Sequence, residues 1–261
     1  MLPTDNLFLT IIDVDSWAPD VYFDEVEDHI RDNWEERHIF VYQPPQVFTR
    51  NHLEVPVISR VYDYMHSSMH AANLFSFADI TFPLSNYSLS FNLTKRMGFW
   101  DTVEEAIGED FHTTQKAIWK TKGEARAIPI YAPFNQLNLA TGAGYCADLE
   151  ARFWQAERHA RGLGDIAYTI NMLIKEPFNW RTFWMSLTVF EIFFLPAFVP
   201  WVFLSLTYQS QILYKYTKAS PELISDETFG YLFNFLTLGS FITFACFEIV
   251  KRRSTNILFK L

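Results

Sequence analysis

Two carboxylates, Asp13 and Asp15, end an apolar run near the start of this 261-residue chain. The run from Leu7 to Ile12 predicts a buried strand, and the two-residue period of a strand would point both carboxylates the same way. Paired carboxylates suit a hard divalent cation, Mg²⁺ or Mn²⁺, that is shared with the phosphate oxygens of a substrate. An isolated Asp-x-Asp is also common in solvated turns, so the motif alone leaves both interpretations open.

Three further groups of side chains suit sugar and phosphate chemistry. Glu109 and Asp110 stand at a predicted helix start, where a carboxylate could take a proton from a hydroxyl, or simply stabilise the helix N-terminus. Gln155 and Arg158 share a face of a predicted helix and suit a hydroxyl and a diphosphate, although such pairs also occur on solvated helices. Gln46 follows Pro-Pro, which indicates either a sugar-binding groove or a surface turn.

The elements that must position these side chains alternate between helix and strand. Hydrophobic spacing predicts helices at Val21–Trp34, Ser59–Leu74 and Ala147–Arg161, and strands at Ile39–Tyr42 and Ala125–Tyr131. Asp101, ahead of Glu104 and Glu105, carries a further helix start signal. This alternation predicts an α/β fold for roughly the first 175 residues.

Two long apolar segments follow, and each exceeds the about 20 residues that a membrane crossing needs. They span residues 183–207 and 229–250. The basic residues 251–253 after the second segment predict a multi-pass membrane protein whose α/β part and C-terminus are cytoplasmic. The alternative, two buried core helices, would need more surrounding chain than is present.

Residues near the first predicted crossing add two expectations about the membrane. The segment from Asp165 to Ile174 is apolar and aromatic on one face, which predicts a helix in the membrane interface just before the crossing. Glu191 lies within the first crossing, where an acid is costly and often functional. It would either have such a function or lie near the interface, paired or protonated.

Composition excludes several classes of protein. The formal net charge of −9 argues against binding of nucleic acid, which favours a basic face. The two cysteines, Cys146 and Cys246, fall in segments of different kind, so neither a disulfide framework nor a zinc site is predicted.

The order of these motifs along the chain resembles the family 2 membrane glycosyltransferases, the relatives of cellulose, chitin and hyaluronan synthases. The segment from Tyr87 to His112 looks closest to a fungal-type branch. The resemblance implies an incomplete GT-A-type (nucleotide-diphospho-sugar transferase) α/β domain over residues 1–164. An interfacial helix at 165–179 and a membrane domain with two transmembrane helices at 180–261 would follow.

Matching positions imply a role for each candidate residue. Asp13 and Asp15 match the motif that holds the metal on a nucleotide sugar, and Asp110 matches the base that deprotonates the acceptor. His159 stands where the family has Trp, so it could stack or donate a hydrogen bond. The residues that match substrate-binding positions are Gln46, Glu109, Gln155, Arg158 and His159.

The resemblance predicts inverting, metal-dependent transfer of a sugar from a nucleotide-sugar donor to a glycan or lipid acceptor at a membrane. The oligomeric state is not predicted. Because a nucleotide-binding half precedes Asp-x-Asp in the family, we expect an N-terminally truncated chain, and the alternative function is an inactive or regulatory membrane protein. A metal-dependent phosphohydrolase is a third hypothesis, and it requires additional Asp, Glu or His ligands.

Overall fold

The computed structural model describes residues 4–74, 79–101, 108–160 and 164–193, together with Tyr231 and Leu238. The chain divides into two compact units, 1–193 and 194–261. The fold described below is that of the first unit.

Short strands and longer helices alternate through this unit, in agreement with the predicted α/β class. The strands are β1 (Phe8–Ile11), β2 (Ser16–Trp17), β3 (Phe40–Gln43), β4 (Gln46–Val47), β5 (Tyr87–Ser90), β6 (Arg126–Pro129) and β7 (Phe134–Gln136). The helices are α1 (Asp20–Asp32), α2 (Val57–Leu74), α3 (Phe91–Met97), α4 (Glu109–Lys120), α5 (Tyr145–Ala160) and α6 (Gly164–Lys175). Residues 180–193 are also helical.

The strands form two small sheets. In the first, the order is β1-β5-β3-β6, with β5 antiparallel to both neighbours and β6 parallel to β3. In the second, the order is β2-β7-β4, with β7 antiparallel to β2 and parallel to β4. β1 is therefore an edge strand in the described sheet and is only half-buried. The expectation of a buried strand before Asp13 is wrong in this respect, because a neighbouring strand covers β1 along one edge only.

Apolar side chains cover the two faces of the first sheet in separate clusters. On one face Val41, Tyr87 and Leu89 pack with side chains of α3, α4 and the 180–193 helix. On the other face Phe40 and Tyr42 pack with Tyr22 and Val26 of α1 and with Phe134. The alternation of Phe40, Val41 and Tyr42 between the clusters follows from the two-residue period of a strand.

Polar side chains on β5 are buried because they have specific partners. The Ser88 hydroxyl lies 2.7 Å from the Tyr22 hydroxyl and 2.8 Å from that of Thr10. The Ser90 hydroxyl accepts a hydrogen bond from the Leu93 amide at 3.1 Å and so caps α3. This helix ends at Gly98, whose φ of +84° favours glycine.

The turn after α4 is held by residues at the start of the 180–193 helix. The Asn179 side chain donates to the Lys122 carbonyl at 3.0 Å, and Arg181 donates to the Gly123 carbonyl at 2.6 Å. Gly123 has a φ of +87°, and a Cβ at this position would lie 2.8 Å from the Asn179 side chain. Glycine is therefore required here both for its backbone conformation and for this close approach.

The predicted helices at Val21–Trp34, Ser59–Leu74 and Ala147–Arg161 are observed, with ends shifted by a few residues. So are the predicted strands at Ile39–Tyr42 and Ala125–Tyr131. The segment expected in the membrane interface, 165–179, contains α6. The helix expected from Asp101 falls on residues 102–107, outside the described residues, and α4 begins at Glu109.

Within the described ranges, no helix has the length and apolar character needed to cross a membrane. Most of the predicted crossing at 183–207, and that at 229–250 apart from two residues, lies outside those ranges. Glu191, which falls inside them, is exposed on the 180–193 helix.

Candidate functional site

The two carboxylates of Asp-x-Asp lie in a turn rather than at the tip of a strand. β1 ends at Ile11, and the Ser16 amide donates to the Asp13 carbonyl at 2.9 Å, which closes the turn. The alternation expected of a strand therefore does not set their direction. The turn nevertheless keeps them close enough for the charge of Asp13 to raise the pKa of Asp15. Val14 at the tip of the turn is 99% exposed.

Asp15 combines partial burial with a polar atom that lacks a partner. Burial, followed by the nearby charge of Asp13, raises the pKa of its carboxyl. Its Oδ1 atom is buried and has no hydrogen-bond partner within the part of the chain that the structure describes. Arg50 donates to the Asp15 carbonyl oxygen at 3.1 Å. A buried carboxylate oxygen without a hydrogen-bond partner, close to a second carboxylate, is a suitable ligand for a cation.

The donor set of the turn fits a hard cation that shares its ligands with a substrate. Asp13 and Asp15 supply carboxylate oxygens, which Mg²⁺ and Mn²⁺ prefer. Among the described residues, no group of three or more His, Cys, Asp or Glu could hold a metal ion. Such a cation would therefore take further ligands from water and phosphate. The phosphohydrolase hypothesis, which needs more protein ligands, gains no support from the described residues.

Asn86, which sequence reasoning missed, contacts this turn from the position just before β5. Its side-chain oxygen accepts from the Asp13 amide at 3.0 Å, and its nitrogen donates to the Ser16 hydroxyl at 3.0 Å. Gln136 of β7 donates to the same hydroxyl at 3.1 Å. Neither amide belongs to a recognisable motif, and only the pairing of β1 with β5 brings Asn86 to the turn.

The predicted base, Asp110, lies in the first turn of α4. Gly108 is the N-cap, so Glu109 and Asp110 sit where the helix dipole favours negative charge. Asp110 is half-buried. The side chain of Glu109 is outside the described part of the structure.

Charged side chains hold this end of α4. His112 Nδ1 lies 2.6 Å from Asp165 at the start of α6, and its Nε2 lies 3.4 Å from Asp101. Lys116 forms a 2.9 Å ion pair with the same Asp101. The Tyr168 ring packs edge-on against His112, and burial, with the charges of nearby acids, raises the pKa of its hydroxyl to about 12.

The residues at the start of β5 connect the Asp13–Ser16 turn with α4. The side chain of Asn86 contacts the turn, whereas Tyr87 points to the opposite face. The Tyr87 hydroxyl accepts from the Trp100 indole at 2.7 Å and lies 3.5 Å from the Thr113 hydroxyl. Thr113 is three residues after Asp110, so the two lie on one side of α4. Two successive residues, Asn86 just before β5 and Tyr87 at its first position, thus contact both elements that carry the candidate carboxylates.

The Gln-x-x-Arg pair lies on α5, as predicted. Gln155 is half-buried, and its side-chain oxygen accepts from Arg152 at 2.7 Å. Arg152 forms a 2.9 Å ion pair with Asp63 of α2, and both side chains are buried. Arg158 is exposed, which leaves its guanidinium accessible to an anion. The side chain of His159 is outside the described part.

Gln46 is a buried residue of β4 with only 2% of its surface exposed. The surface-turn interpretation of this segment is therefore wrong. Neither polar atom of its amide has a hydrogen-bond partner among the described residues. Buried amides normally have polar partners, so Gln46 fits a site that receives one from water or a ligand.

Comparison with known proteins identifies the family. A sequence model described as glycosyl transferase family group 2 matches residues 8–245, which runs from β1 into the second unit. No curated protein matches the chain. The match spans far more than half of the sequence and agrees with the family expected from the order of the motifs. The chain belongs to glycosyl transferase family group 2.

Proposed function

We propose that this protein transfers a sugar from a nucleotide-sugar donor to a hydroxyl of a glycan or lipid acceptor, with inversion at the anomeric carbon. Membership of the family supports the nucleotide-sugar donor and the transfer itself. The observation that carries the metal-dependent form of the proposal is the buried, unpartnered Oδ1 of Asp15 beside Asp13.

In the proposed reaction, Asp110 accepts the proton of the acceptor hydroxyl. The freed oxygen forms a bond to the anomeric carbon as the bond from that carbon to the diphosphate breaks. The diphosphate leaves with the bonding electron pair, and a single displacement inverts the centre. A cation held by Asp13 and Asp15, when bound, would neutralise charge on the departing diphosphate.

The remaining candidate residues would bind the two substrates. The exposed guanidinium of Arg158 suits the diphosphate, to which arginine can donate two parallel hydrogen bonds. Gln155 and Gln46 offer amides suited to sugar hydroxyls. Glu109 and His159 are included because they match substrate-binding positions in the family resemblance.

We further propose that the protein acts at a membrane, with its catalytic part in the cytoplasm. Exposed apolar side chains follow one another from α6 into the 180–193 helix: Ile170, Leu173, Ile174, Phe178, Trp180, Trp184 and Leu187. α6 buries Thr169 and Met172 on its other side. Contiguous exposed apolar surface of this kind is typical of a membrane-binding site. Flotation of the protein with liposomes tests it, and Ile174→Glu and Phe178→Glu should weaken the association.

The central experiment measures binding of nucleotide sugars with and without Mn²⁺, followed by a screen of donors for transfer in membranes. We expect Mn²⁺-dependent binding that Asp15→Ala weakens and that Asp28→Ala, a change of an exposed acid on α1, leaves unchanged. Binding that does not depend on the metal would contradict the metal site. A chain that binds no donor under any condition would favour the inactive or regulatory alternative.

A further inference from the structure

One amide side chain holds both ends of the Asp13–Ser16 turn. Asn86 is fully buried, with 0% of its surface exposed. Its Oδ1 accepts from the Asp13 backbone amide at 3.0 Å, and its Nδ2 donates to the Ser16 hydroxyl at 3.0 Å and to the Ser85 hydroxyl at 3.2 Å. A side chain with three hydrogen bonds and no access to solvent has little freedom to rotate.

The Ser16 residue holds the other end of the turn. A hydroxyl oxygen has two lone pairs, and those of Ser16 accept from Asn86 at 3.0 Å and from Gln136 at 3.1 Å. The backbone amide of Ser16 donates to the Asp13 carbonyl at 2.9 Å and closes the turn. The donors that hold the Ser16 side chain therefore also fix the backbone between Asp13 and Ser16.

The turn is fixed at the junction of the two sheets. Asn86 leads into β5 of the first sheet, whereas Ser16 lies in β2 and Gln136 in β7 of the second. The Leu137 amide adds a hydrogen bond to the Asp15 carbonyl at 3.2 Å. Both sheets must be in place before these donors converge on the turn.

The side chains that hold the turn from β5 and β7 carry no charge. The amides of Asn86 and Gln136 provide hydrogen bonds without neutralising Asp13 or Asp15 in advance of a cation. One cation is also close: Arg50 donates to the carbonyl oxygen of Asp15, and its charge acts to lower the pKa of the Asp15 carboxyl, against the larger effects of burial and Asp13. Hydrogen bonds from outer residues commonly orient the ligands of a metal.

From these contacts we infer that Asn86 is a positioning residue for the proposed metal-binding turn: together with Ser16, it fixes the backbone that carries the Asp13 and Asp15 carboxylates. The inference rests on the proposed function, since it requires this turn to bind a cation. Its consequence is that a change at Asn86 or Ser16 weakens metal binding although neither side chain is an acidic ligand.

The test is a titration of the chain with Mn²⁺ in the presence of uridine diphosphate, with free Mn²⁺ measured by electron paramagnetic resonance. We expect Asn86→Ala and Ser16→Ala to raise the Kd for Mn²⁺ by about 10- to 100-fold, the range for residues that orient metal ligands. Ser90→Ala is the matched control. Ser90 is a buried serine at the other end of β5, and its hydroxyl accepts from the Leu93 amide at 3.1 Å. The Kd of this variant should stay within about two-fold of the wild-type value, a change below 0.5 kcal/mol.

Circular dichroism and thermal unfolding establish that each variant is folded at the titration temperature. Should Asn86→Ala fail to fold, Ser16→Ala, which removes one oxygen atom, decides the question. If the wild-type chain binds no Mn²⁺, the proposed metal site fails, and this inference fails with it. If the wild-type chain binds Mn²⁺ and folded Ser16→Ala binds it equally well, the inference alone is overturned. An equal loss in Ser90→Ala would likewise overturn it, because metal affinity would then follow the stability of the fold rather than the support of the turn.

Discussion

The proposed metal-binding turn, Asp13–Ser16, and α4, the helix of the proposed base, both present carboxylates, yet different chemistry holds each in place. Neutral amides and a hydroxyl support the turn: Asn86 and Gln136 converge on Ser16, and Asn86 also accepts from the Asp13 amide. Acidic and basic side chains support the first turns of α4, where His112 lies between Asp165 and Asp101 and Lys116 pairs with Asp101.

This difference fits the role that the proposed reaction gives each region. A turn that receives a cation should keep its own negative charge, and hydrogen bonds from neutral groups fix its geometry without reducing that charge. A helix whose terminal carboxylate accepts a proton needs mainly to stay in place. The contacts of His112 and Lys116 serve that purpose, since they join α4 to Asp165 of α6 and to Asp101.

The largest effect should come from Asp110→Asn, which should impair the role proposed for α4 and leave that of the turn intact. Loss of a general base typically reduces the rate by about 10²- to 10⁴-fold, so we expect transfer to fall by that amount. Binding of nucleotide with Mn²⁺ should stay near the wild-type value, because the metal-binding turn is unaltered. Kinetic and binding measurements on the same preparation provide the comparison.

Asp15→Ala supplies the reciprocal variant. It should weaken the binding that depends on Mn²⁺ while leaving binding without metal nearly unchanged. Full transfer activity in Asp110→Asn would exclude Asp110 as the base, whatever the outcome for Asp15.

Asp165→Ala should have the next largest effect, on stability. It leaves His112 without its 2.6 Å partner at the α4–α6 junction. Hydrogen bonds to charged groups contribute about 1.5–3 kcal/mol, so we expect the free energy of unfolding to fall by about 2 kcal/mol. Urea denaturation measures this, and Mn²⁺ affinity of the folded fraction should not change. A loss of metal affinity equal to that of Ser16→Ala would show that the two regions are not independently supported.

The pH dependence of metal binding should be smaller, at about 1.4 kcal/mol or tenfold per pH unit below the pKa of the ligand. Because burial and Asp13 raise the pKa of Asp15, the affinity for Mn²⁺ should begin to fall on acidification while the pH is still above 3.8, the ordinary carboxyl value. In the metal-free protein, the effect of pH on folding stability has the opposite sign. Because the pKa of the Asp15 carboxyl is higher in the folded than in the unfolded chain, this group stabilises the fold at a pH below its unfolded-state pKa. That contribution to the free energy of unfolding is lost as pH rises through the folded-state pKa. Titrations with Mn²⁺ alone measure the first effect, and Asp15→Asn should remove the Asp15 component.

Ser90→Ala should have the smallest effect and touch neither region. Ser90 lies at the opposite end of β5 from Asn86 and caps α3. Loss of such a cap lowers stability by about 1 kcal/mol. Thermal unfolding should show this decrease, whereas Mn²⁺ affinity and the transfer rate per folded molecule should be unchanged. A change in metal affinity would indicate that β5 as a whole, rather than Asn86, positions the turn.

Local patterns predicted the elements whose signals lie within a short stretch of sequence. α1, α2 and α5 each carry enough hydrophobic periodicity to be recognised, and the amphipathic segment at 165–179 contains α6. Asp13 and Asp15 became candidates because Asp-x-Asp after an apolar run is a local pattern. Their conformation could not be predicted, because the turn depends on Asn86 and Gln136 from distant parts of the chain.

β5 was missed for a related reason. Its serines look exposed in sequence, but Ser88 is buried because the hydroxyls of Tyr22 and Thr10 are its partners. The short strands β2, β4 and β7 likewise exist only through pairing with one another. α3 could have been found, since Ser90 and Gly98 are a cap and a stop at suitable spacing.

The contacts of Asn179 and Arg181 with the turn after α4 have a practical consequence for anyone who shortens the chain. The side chains of Asn179 and Arg181 satisfy the carbonyl oxygens of Lys122 and Gly123. A chain cut just before Asn179 would leave both carbonyls without these donors, and α4, which carries Asp110, would end in an unsupported turn. The place to cut is after residue 193, where the first compact unit ends. Fragments made for measurements on Asp110 should therefore keep the 180–193 helix, even though it exposes the apolar side chains of Trp180, Trp184 and Leu187.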